Sequence, residues 1–323
     1  MIIKLNKMKY FMFLIFFSFL LFQIENYPIK PVIAIYGNSE PENDDEQFIN
    51  GTYYPMSYVY WLESAGAEVM AIHYWYSYEL IDEILQKING ILFLGGGRVF
   101  IKEGTWEIKA KYIIEKSLKL EIPFWGTCQG FQLIGTILSD DYTLLKHEFD
   151  DKNILHNLVI NNDTRKSNMF KLLTPNEFEL LSYTNSTIYS HEWGFYPNEY
   201  YENKNLEEMT IVTSTSEDHR GSKFINSFEG KKYKFYGVQF HPEKNPYKRR
   251  NYNLEQNIES LKVSQKLLFN FVQQTRNNKN KFISKINSEG DRAKFDFFNT
   301  YNGTKSCVYS KEEEFCYFYK KEE

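Results

Sequence analysis

Four short apolar runs, each followed by a segment with helical periodicity, constrain the fold of this chain more than any other feature. The runs PVIAIYG, EVMAIHYW, GILFLGGG and IPFWGTC have the length and composition of buried strands. The segments between them, such as YELIDEILQKI and TWEIKAKYIIEKSLKL, carry apolar residues at helical spacing. Strands and helices in this alternation predict an α/β fold, a three-layer α-β-α sandwich with a mostly parallel central sheet.

The first residues have the pattern of a secretory leader. Three lysines precede the apolar run from Tyr10 to Phe22, which ends at QIENYP. At 13 residues the run is shorter than the ~20 that a helix needs to span a bilayer. Residues 1–26 are therefore predicted to be a signal peptide, with an uncleaved anchor as the alternative. The mature protein is expected in the lysosome or vacuole or outside the cell, with no membrane attachment.

Charge and cysteine content narrow the possible classes of protein. A formal net charge of -4 does not provide the basic surface that nucleic-acid binding requires. The histidines and cysteines form no C-x-x-C, H-x3-H or H-E-x-x-H pattern, so no metal site is predicted.

Of the three cysteines, Cys307 and Cys316 lie close together and are a candidate disulfide, which leaves Cys128 unpaired. Four N-x-[ST] triplets, about as many as chance gives, suit a glycoprotein without proving one.

Cys128 lies where the fourth strand turns into a helix, in the sequence GTCQG. Small neighbours permit a sharp turn of this kind, which pushes the corner side chain outward, as in G-x-S-x-G elbows. The positive end of the following helix favours a thiolate, and the backbone N–H of Gln129 would point toward a developing oxyanion. The alternative is a buried structural cysteine.

Two further segments supply candidate partners for that sulfur. In YGVQFHPE, His241 and Glu243 are two residues apart, so on an extended segment both project to one face, where a carboxylate can orient an imidazole. In LGGG, the glycines after the third strand would let a backbone N–H approach a substrate carbonyl. The alternatives are an exposed turn and a plain glycine loop.

Taken together, GTCQGF, LGGG, SYVYWLESAGAEV and YGVQFHPEKNPY resemble the γ-glutamyl hydrolases, a cysteine peptidase family with the class I glutamine amidotransferase-like (flavodoxin-like) fold. The resemblance runs from about Pro31 to Tyr247. It implies that residues 29–275 form the catalytic domain, followed by a polar, loosely attached extension at 276–323.

The resemblance also implies roles for individual residues. Cys128 would be the nucleophile, His241 the general base and then acid, and Glu243 the residue that orients it. Backbone amides at Gln129 and Gly96 would bind the oxyanion. Substrate binding is implied for a set whose members match family positions around the cleft: Tyr58, Gly95, Gln132 and His191. His191 is a candidate for proton transfer as well, while structural roles remain open for His191 and Tyr58.

Two departures from the family pattern stand out. Gln132 lies where amidotransferases usually have Gln and γ-glutamyl hydrolases often have Glu, and Leu94 replaces a proline. The expected reaction is hydrolysis of γ-linked glutamate in folylpoly-γ-glutamates and related conjugates, without a cofactor. The partner is thus a small-molecule substrate, and a homodimer is left open. The alternatives are a glutaminase that serves an amidotransferase and a non-catalytic binding protein. A basic run at Lys244 and 248–250 would attract polyanions or would simply be solvated.

Overall fold

The computed structural model describes residues 30–39, 51–246, 258–280, 295–298, 304–309 and 312–320. The predicted signal peptide and the basic residues at 248–250 lie outside them. The strands are β1 (Val32–Tyr36), β2 (Asn38–Ser39), β3 (Gly51–Pro55), β4 (Glu68–Ile72), β5 (Gly90–Phe93), β6 (Phe124–Thr127), β7 (Lys146–His156), β8 (Val159–Ile160), β9 (Thr187–Gly194), β10 (Thr210–Glu217), β11 (Lys223–Gly230), β12 (Phe235–Val238), β13 (Thr304–Tyr309) and β14 (Glu312–Lys320).

The helices of the described residues follow the predicted segments closely in the first half of the chain. They are α1 (Met56–Ser64), α2 (Tyr78–Leu85), α3 (Thr105–Lys119), α4 (Gln129–Ser139), α5 (Asn162–Lys166), α6 (Pro175–Tyr183), α7 (Pro197–Glu202), α8 (Lys204–Met209) and α9 (Ile258–Arg276), with 3₁₀ turns at Tyr142–Leu144 and Pro242–Lys244. None of the helices among these residues is long and apolar enough to cross a bilayer.

The central sheet has eight strands in the order β4-β1-β5-β6-β12-β11-β10-β8. The five strands from β4 to β12 are parallel, and the remaining three are antiparallel to their neighbours. β12 pairs directly with β6, so two segments far apart in sequence end at the same edge of the sheet. In sheets of this kind, reactive groups gather beyond the carboxyl ends of the strands.

Both faces of the sheet are covered, because successive side chains of each buried strand point to opposite faces. On one face, Ile33 and Ile35 of β1 pack in a core with Trp61 of α1 and Phe271 of α9. On the other face, alternate strand residues form a second core with residues of α2, α3 and α4: Ala34, Tyr36, Phe93, Ile84, Ile113 and Leu133. The predicted three-layer α/β sandwich is confirmed.

The C-terminal extension is attached to the domain in the parts that are described, so the expectation of loose attachment is wrong there. β14 pairs with β3 in a second, four-stranded sheet of order β13-β14-β3-β2. Phe297 bridges Met70 at the edge of the central sheet, and Phe295 and Phe298 are buried. The overall polar composition of the extension predicted loose attachment, but a few aromatic residues attach it. Each of them buries enough apolar surface to order a short segment.

A polar contact completes this attachment. The Nε2–H of the buried His73 donates to Asp296 Oδ2 at 3.1 Å, the Tyr76 hydroxyl donates to the same oxygen, and Thr52 Oγ1 lies 2.6 Å from His73 Nδ1. We expect Asp296→Ala to lower the free energy of unfolding by about 2 kcal/mol, because a buried imidazole N–H loses its charged acceptor. Urea unfolding measures this, with the exposed Glu103→Ala as the control. Equal stability of the two variants would show that the apolar anchors alone hold the extension.

Candidate active site

Cys128 occupies a sharp corner between β6 and α4. Its backbone has φ 51° and ψ −108°, a conformation that L-residues avoid and that persists only where the surroundings enforce it. The flanking glycines are required by space, since a Cβ on Gly130 would lie 2.2 Å from Phe93 O and one on Gly126 would lie 2.6 Å from Gly130 C. The predicted elbow is therefore present, with Cys128 at the N-terminal end of α4.

The strand pairing brings the predicted histidine to the same corner. Val238 of β12 lies beside Thr127 of β6, and its carbonyl accepts from the Cys128 N–H at 2.8 Å. His241 follows three residues later. A Cβ added to Gly95 would lie 2.8 Å from His241 Cε1 and 3.4 Å from Cys128 Cβ, so the imidazole and the cysteine border the same glycine.

His241 and Glu243 form a buried pair. Nδ1 of His241 lies 2.7 Å from Glu243 Oε1, and the side chain of Glu243 is completely buried. The expectation that both residues sit on an extended segment is wrong, because Pro242–Lys244 form a 3₁₀ turn. The turn nevertheless places the carboxylate against Nδ1, so the proton on that nitrogen points at Glu243 and the lone pair of Nε2 remains free.

Charge around His241 favours the imidazolium. Burial and Lys244 oppose its charge, but the Glu243 carboxylate and Cys128 outweigh them and raise the pKa of His241 to about 9. Burial likewise opposes ionisation of Glu243, and the positive His241 reverses this and lowers the pKa of the carboxyl. Cys128 is close enough to His241 to help raise its pKa, although His241 Nε2 has no hydrogen-bond partner among the described residues. The pair is therefore arranged to take a proton from the sulfur.

The glycine loop after β5 has its amides arranged for two different uses. The N–H of Gly95 donates to the Tyr58 hydroxyl at 3.0 Å and is therefore occupied. The N–H of Gly96 makes no hydrogen bond within the described part of the chain. A Cβ on Gly96 would lie 2.4 Å from Gln129 Oε1, so Gly96 lies beside the side chain of the first residue of α4, whose backbone N–H has no partner inside the helix. Gly96 and Gln129 can together form an oxyanion hole.

Tyr58 holds the glycine loop in this position. It projects from α1, is 3% exposed, and its hydroxyl accepts from Gly95 and lies 3.4 Å from His241 Nδ1. Asn38 of β2 supports the same loop, with Nδ2 donating to Gly95 O at 2.7 Å. Tyr58 therefore contacts both the loop and the histidine, which goes beyond core packing of its helix.

Replacing this hydroxyl should weaken the site without unfolding the protein. We expect Tyr58→Phe to lower kcat/KM by about 10- to 100-fold and stability by about 1–3 kcal/mol, because the buried Gly95 N–H loses its acceptor. Kinetics and thermal unfolding measure both effects. The matched control is Tyr78→Phe in α2, on the opposite face of the sheet, where the ring is 40% exposed. Full activity in Tyr58→Phe would mean that the loop holds its position unaided.

His191 lies beneath the site rather than in the open cleft. Its side chain is 1% exposed, its ring centroid is 4.9 Å from that of Phe224, and its Nδ1–H donates to Trp193 O at 3.0 Å. Burial lowers the pKa of His191 to about 3, so the ring is neutral. Among the described residues His191 makes no hydrogen bond to Cys128, and its predicted role in binding or proton transfer stays a prediction.

Gln132 is also more enclosed than its predicted binding role implies. It is 4% exposed, and its Nε2 donates to Trp193 O at 2.7 Å and to Gln239 Oε1 at 3.1 Å.

Lys244, from the basic run, is buried at 8% exposure and is not a solvated surface charge. Cys316 is fully buried and disulfide-bonded, while the side chain of Cys307, its predicted partner, lies outside the described residues.

Residues that the sequence interpretation did not select also contact the sulfur. Cys128 Sγ lies 3.8 Å from Ser190 O of β9 and 3.6 Å from Gln239 Nε2. Gln239 stands two residues before His241 within YGVQFHPE, so the same motif could have drawn attention to it. Ser190 has no such signal, because its carbonyl reaches the sulfur only through the packing of β9. Among the described residues, no group of histidine, cysteine, aspartate and glutamate side chains could hold a metal ion.

Comparisons with known proteins identify the family of this chain. A family profile described as "Glutamine amidotransferase class-I" matches residues 52–261. The chain is 33% identical to "Gamma-glutamyl hydrolase" of Mus musculus over 62% of this chain and 64% of that protein, slightly less than two thirds of its length. It is 30% identical to "Gamma-glutamyl hydrolase B" of Dictyostelium discoideum over 87% of this chain and 81% of that protein.

A human relative and two solved structures extend the comparison. Identity to "Gamma-glutamyl hydrolase" of Homo sapiens is 30%, over 74% of this chain and 76% of that protein. A putative GMP synthase protein from Thermoplasma acidophilum is 13% identical, with a TM-score of 0.48 over 77% of this chain and 96% of that chain. The glutaminase domain of Trypanosoma brucei CTPS gives the same TM-score and identity over 80% and 98%.

The assignment rests on the sequence matches rather than on these structural scores. The profile covers more than half of the chain, and the Dictyostelium and human relatives are matched over more than two thirds of their lengths. This chain belongs to the class-I glutamine amidotransferase family and, within it, to the γ-glutamyl hydrolases.

Proposed function

We propose that the protein hydrolyses γ-glutamyl bonds through a thioester on Cys128. The observation that carries this proposal is the convergence of three groups at one edge of the sheet: the elbow cysteine, the His241–Glu243 pair and the amides of Gly96 and Gln129. A nucleophile, a base with its orienting carboxylate, and an oxyanion hole are the components of acyl transfer. The names of the relatives point to the γ-glutamyl amide as the acyl group.

In the proposed acylation each group has one role. His241 Nε2 takes the proton from Cys128, and the sulfur attacks the γ-carbonyl carbon to form a C–S bond. The carbonyl oxygen becomes an oxyanion that accepts from the N–H groups of Gly96 and Gln129. The imidazolium then gives its proton to the leaving nitrogen, the C–N bond breaks, and a γ-glutamyl thioester remains.

Deacylation uses the same groups in reverse order. His241 takes a proton from water, whose oxygen attacks the thioester carbonyl. The oxyanion again lies at Gly96 and Gln129. Its collapse breaks the C–S bond, the imidazolium returns its proton to the sulfur, and the product leaves with a free γ-carboxyl group. Glu243 stays ionised throughout and stabilises the imidazolium formed in each half-reaction.

The proposed substrates are folylpoly-γ-glutamates and related γ-glutamyl conjugates, handled in the lysosome, the vacuole or outside the cell. The substrate class comes from the family, and the location from the apolar leader at Tyr10–Phe22. A homodimer would be compatible with this reaction, because Cys128, His241 and Glu243 all come from one chain.

Product analysis tests the proposal directly. Purified protein is incubated with a pteroylpentaglutamate, with a γ-glutamyl dipeptide and with free glutamine, and products are identified by mass spectrometry. We expect hydrolysis of the first two and little release of ammonia from glutamine. A strong preference for glutamine would replace the proposal with the glutaminase function, which the class-I profile and Gln132 favour. No turnover of any of them would leave a binding protein.

A further inference from the structure

Gln239 is a buried amide in direct contact with the proposed nucleophile. It follows β12, is completely buried, and its backbone N–H donates to Asn226 O at 2.8 Å. Its Nε2 lies 3.6 Å from Cys128 Sγ, within the range of an N–H···S hydrogen bond. A buried side-chain amide that points at a reactive sulfur shifts the equilibrium between its thiol and thiolate forms.

The orientation of this amide is fixed by its neighbours rather than chosen freely. Gln132 Nε2 faces Trp193 O at 2.7 Å, and a backbone carbonyl is an acceptor only, so the amino group of Gln132 must point that way. The second hydrogen of the same nitrogen is then directed at Gln239, 3.1 Å away. Gln239 must therefore present its oxygen to Gln132 and its amino group to the sulfur, because the flipped amide would set two donors against each other.

A second protein contact of the sulfur has the opposite polarity. Ser190 O lies 3.8 Å from Sγ and can only accept, so it serves the S–H of the thiol form. Once the Cys128 proton has moved to His241, the sulfur has no S–H left to donate to Ser190 O. The amino group of Gln239 remains and its hydrogen bond strengthens, because a bond to an ionised acceptor is about twice as strong as a neutral one.

We propose that Gln239 is a further catalytic residue of this site: its Nε2–H donates to Cys128 Sγ and stabilises the thiolate, while Gln132 acts as a positioning residue that fixes the direction of that amide. The inference rests on the proposed function for its role in turnover. The hydrogen bond itself is independent of the substrate. It makes the chain Trp193 O, Gln132, Gln239, Cys128 a continuous line of polar contacts from β9 to the nucleophile.

The test measures how fast the Cys128 sulfur is alkylated as a function of pH, and it needs no γ-glutamyl substrate. The full-length protein is alkylated with iodoacetamide over a range of pH, and labelling of the Cys128 peptide is followed by mass spectrometry. Gln239→Met keeps the shape and removes the donor, and Gln239→Glu replaces the donor with a negative charge. We expect the midpoint of alkylation against pH to rise by roughly 1–2 pH units in Gln239→Met and further in Gln239→Glu. His241, which interacts with Cys128, and the two charged groups that act on His241, Glu243 and Lys244, are unchanged in both variants.

A matched control separates this role from general damage to the core. Asn226→Ala removes another fully buried amide, whose side chain bonds Tyr189 and Ser214 and not the sulfur. This variant should keep the wild-type midpoint. Gln132→Met should shift the midpoint in the same direction as Gln239→Met by a smaller amount, because the amide of Gln239 can then turn.

The outcomes separate this inference from the proposed function. Graded shifts in the order Gln132, Gln239→Met, Gln239→Glu support it even if no γ-glutamyl compound is hydrolysed. With a hydrolysed substrate, kcat/KM should fall by about 10- to 100-fold in Gln239→Met. Identical midpoints in the wild type and every folded variant would overturn the inference. If the Gln239 variants do not fold, an unchanged midpoint in Gln132→Met overturns it.

Discussion

Cys128→Ala is expected to abolish turnover while leaving the fold intact. Without the sulfur no thioester can form, and the remaining oxyanion hole and binding groups cannot replace it. Loss of a nucleophile in a comparable triad lowers kcat by about 10⁵-fold or more. The backbone strain at φ 51° is unchanged by alanine, and one buried sulfur is removed, so stability should change by about 1 kcal/mol at most. Single-turnover kinetics and urea unfolding measure the two quantities.

Cys128→Ser provides the matched control, because it keeps the shape of the corner and retains a nucleophilic atom. Intact-mass analysis after rapid quenching should show a γ-glutamyl adduct on the wild-type protein, none on the alanine variant, and at most a slowly formed ester on the serine variant. If Cys128→Ala retained more than about one hundredth of wild-type kcat/KM, a thioester mechanism would be excluded. Loss of folding in both variants would instead assign Cys128 a structural role.

The parts of the site that sequence predicts are those encoded by short local patterns. The elbow at Cys128 follows from an apolar run ending between two glycines, and the mostly parallel sheet follows from the alternation of apolar runs with helical segments. The resemblance to the γ-glutamyl hydrolases also implied that Cys128 and His241 would lie near each other. The structure places both beside Gly95.

The remaining features depend on contacts between distant segments, which periodicity does not encode. The 3₁₀ turn at Pro242 preserves the His241–Glu243 contact by a different backbone path from the extended one expected. In the sequence, the hydroxyl of Tyr58 and the amide of Gln239 cannot be told from other polar groups of the core. Tertiary packing directs the Tyr58 hydroxyl at the glycine loop and the Gln239 amide at the sulfur. β14 gains its place beside β3 through aromatic anchors within a polar tail.

Glu243→Gln is expected to lower kcat by roughly 10²- to 10⁴-fold while preserving the position of His241. The neutral amide can still accept from Nδ1, but it removes the charge that stabilises the imidazolium and admits a tautomer with the wrong nitrogen protonated. Since the carboxylate acts with Cys128 to raise the pKa of His241 to about 9, the alkaline limb of the kcat/KM profile should move from near pH 9 to lower pH.

The same carboxylate makes stability depend on pH in a defined window. A folded pKa of about 9 against an ordinary value of 6.5 contributes stability that is fully present below pH 6.5 and is lost as the pH rises through 9. The loss should approach roughly 3 kcal/mol for the wild type and be much smaller for Glu243→Gln. Urea unfolding at pH 6, 7.5 and 9.5, chosen to bracket this window, measures the difference.

Glu177→Gln is the matched control, because it neutralises another buried carboxylate, one that caps α6 and pairs with Lys266 away from the site. That variant should lose stability at each pH yet keep the wild-type alkaline limb and the wild-type slope between pH 6.5 and 9. If Glu243→Gln and Glu177→Gln behaved alike, the imidazolium would owe its stability to the thiolate alone. Glu243 would then only position the ring, and the charge pairing of His241 would belong to Cys128.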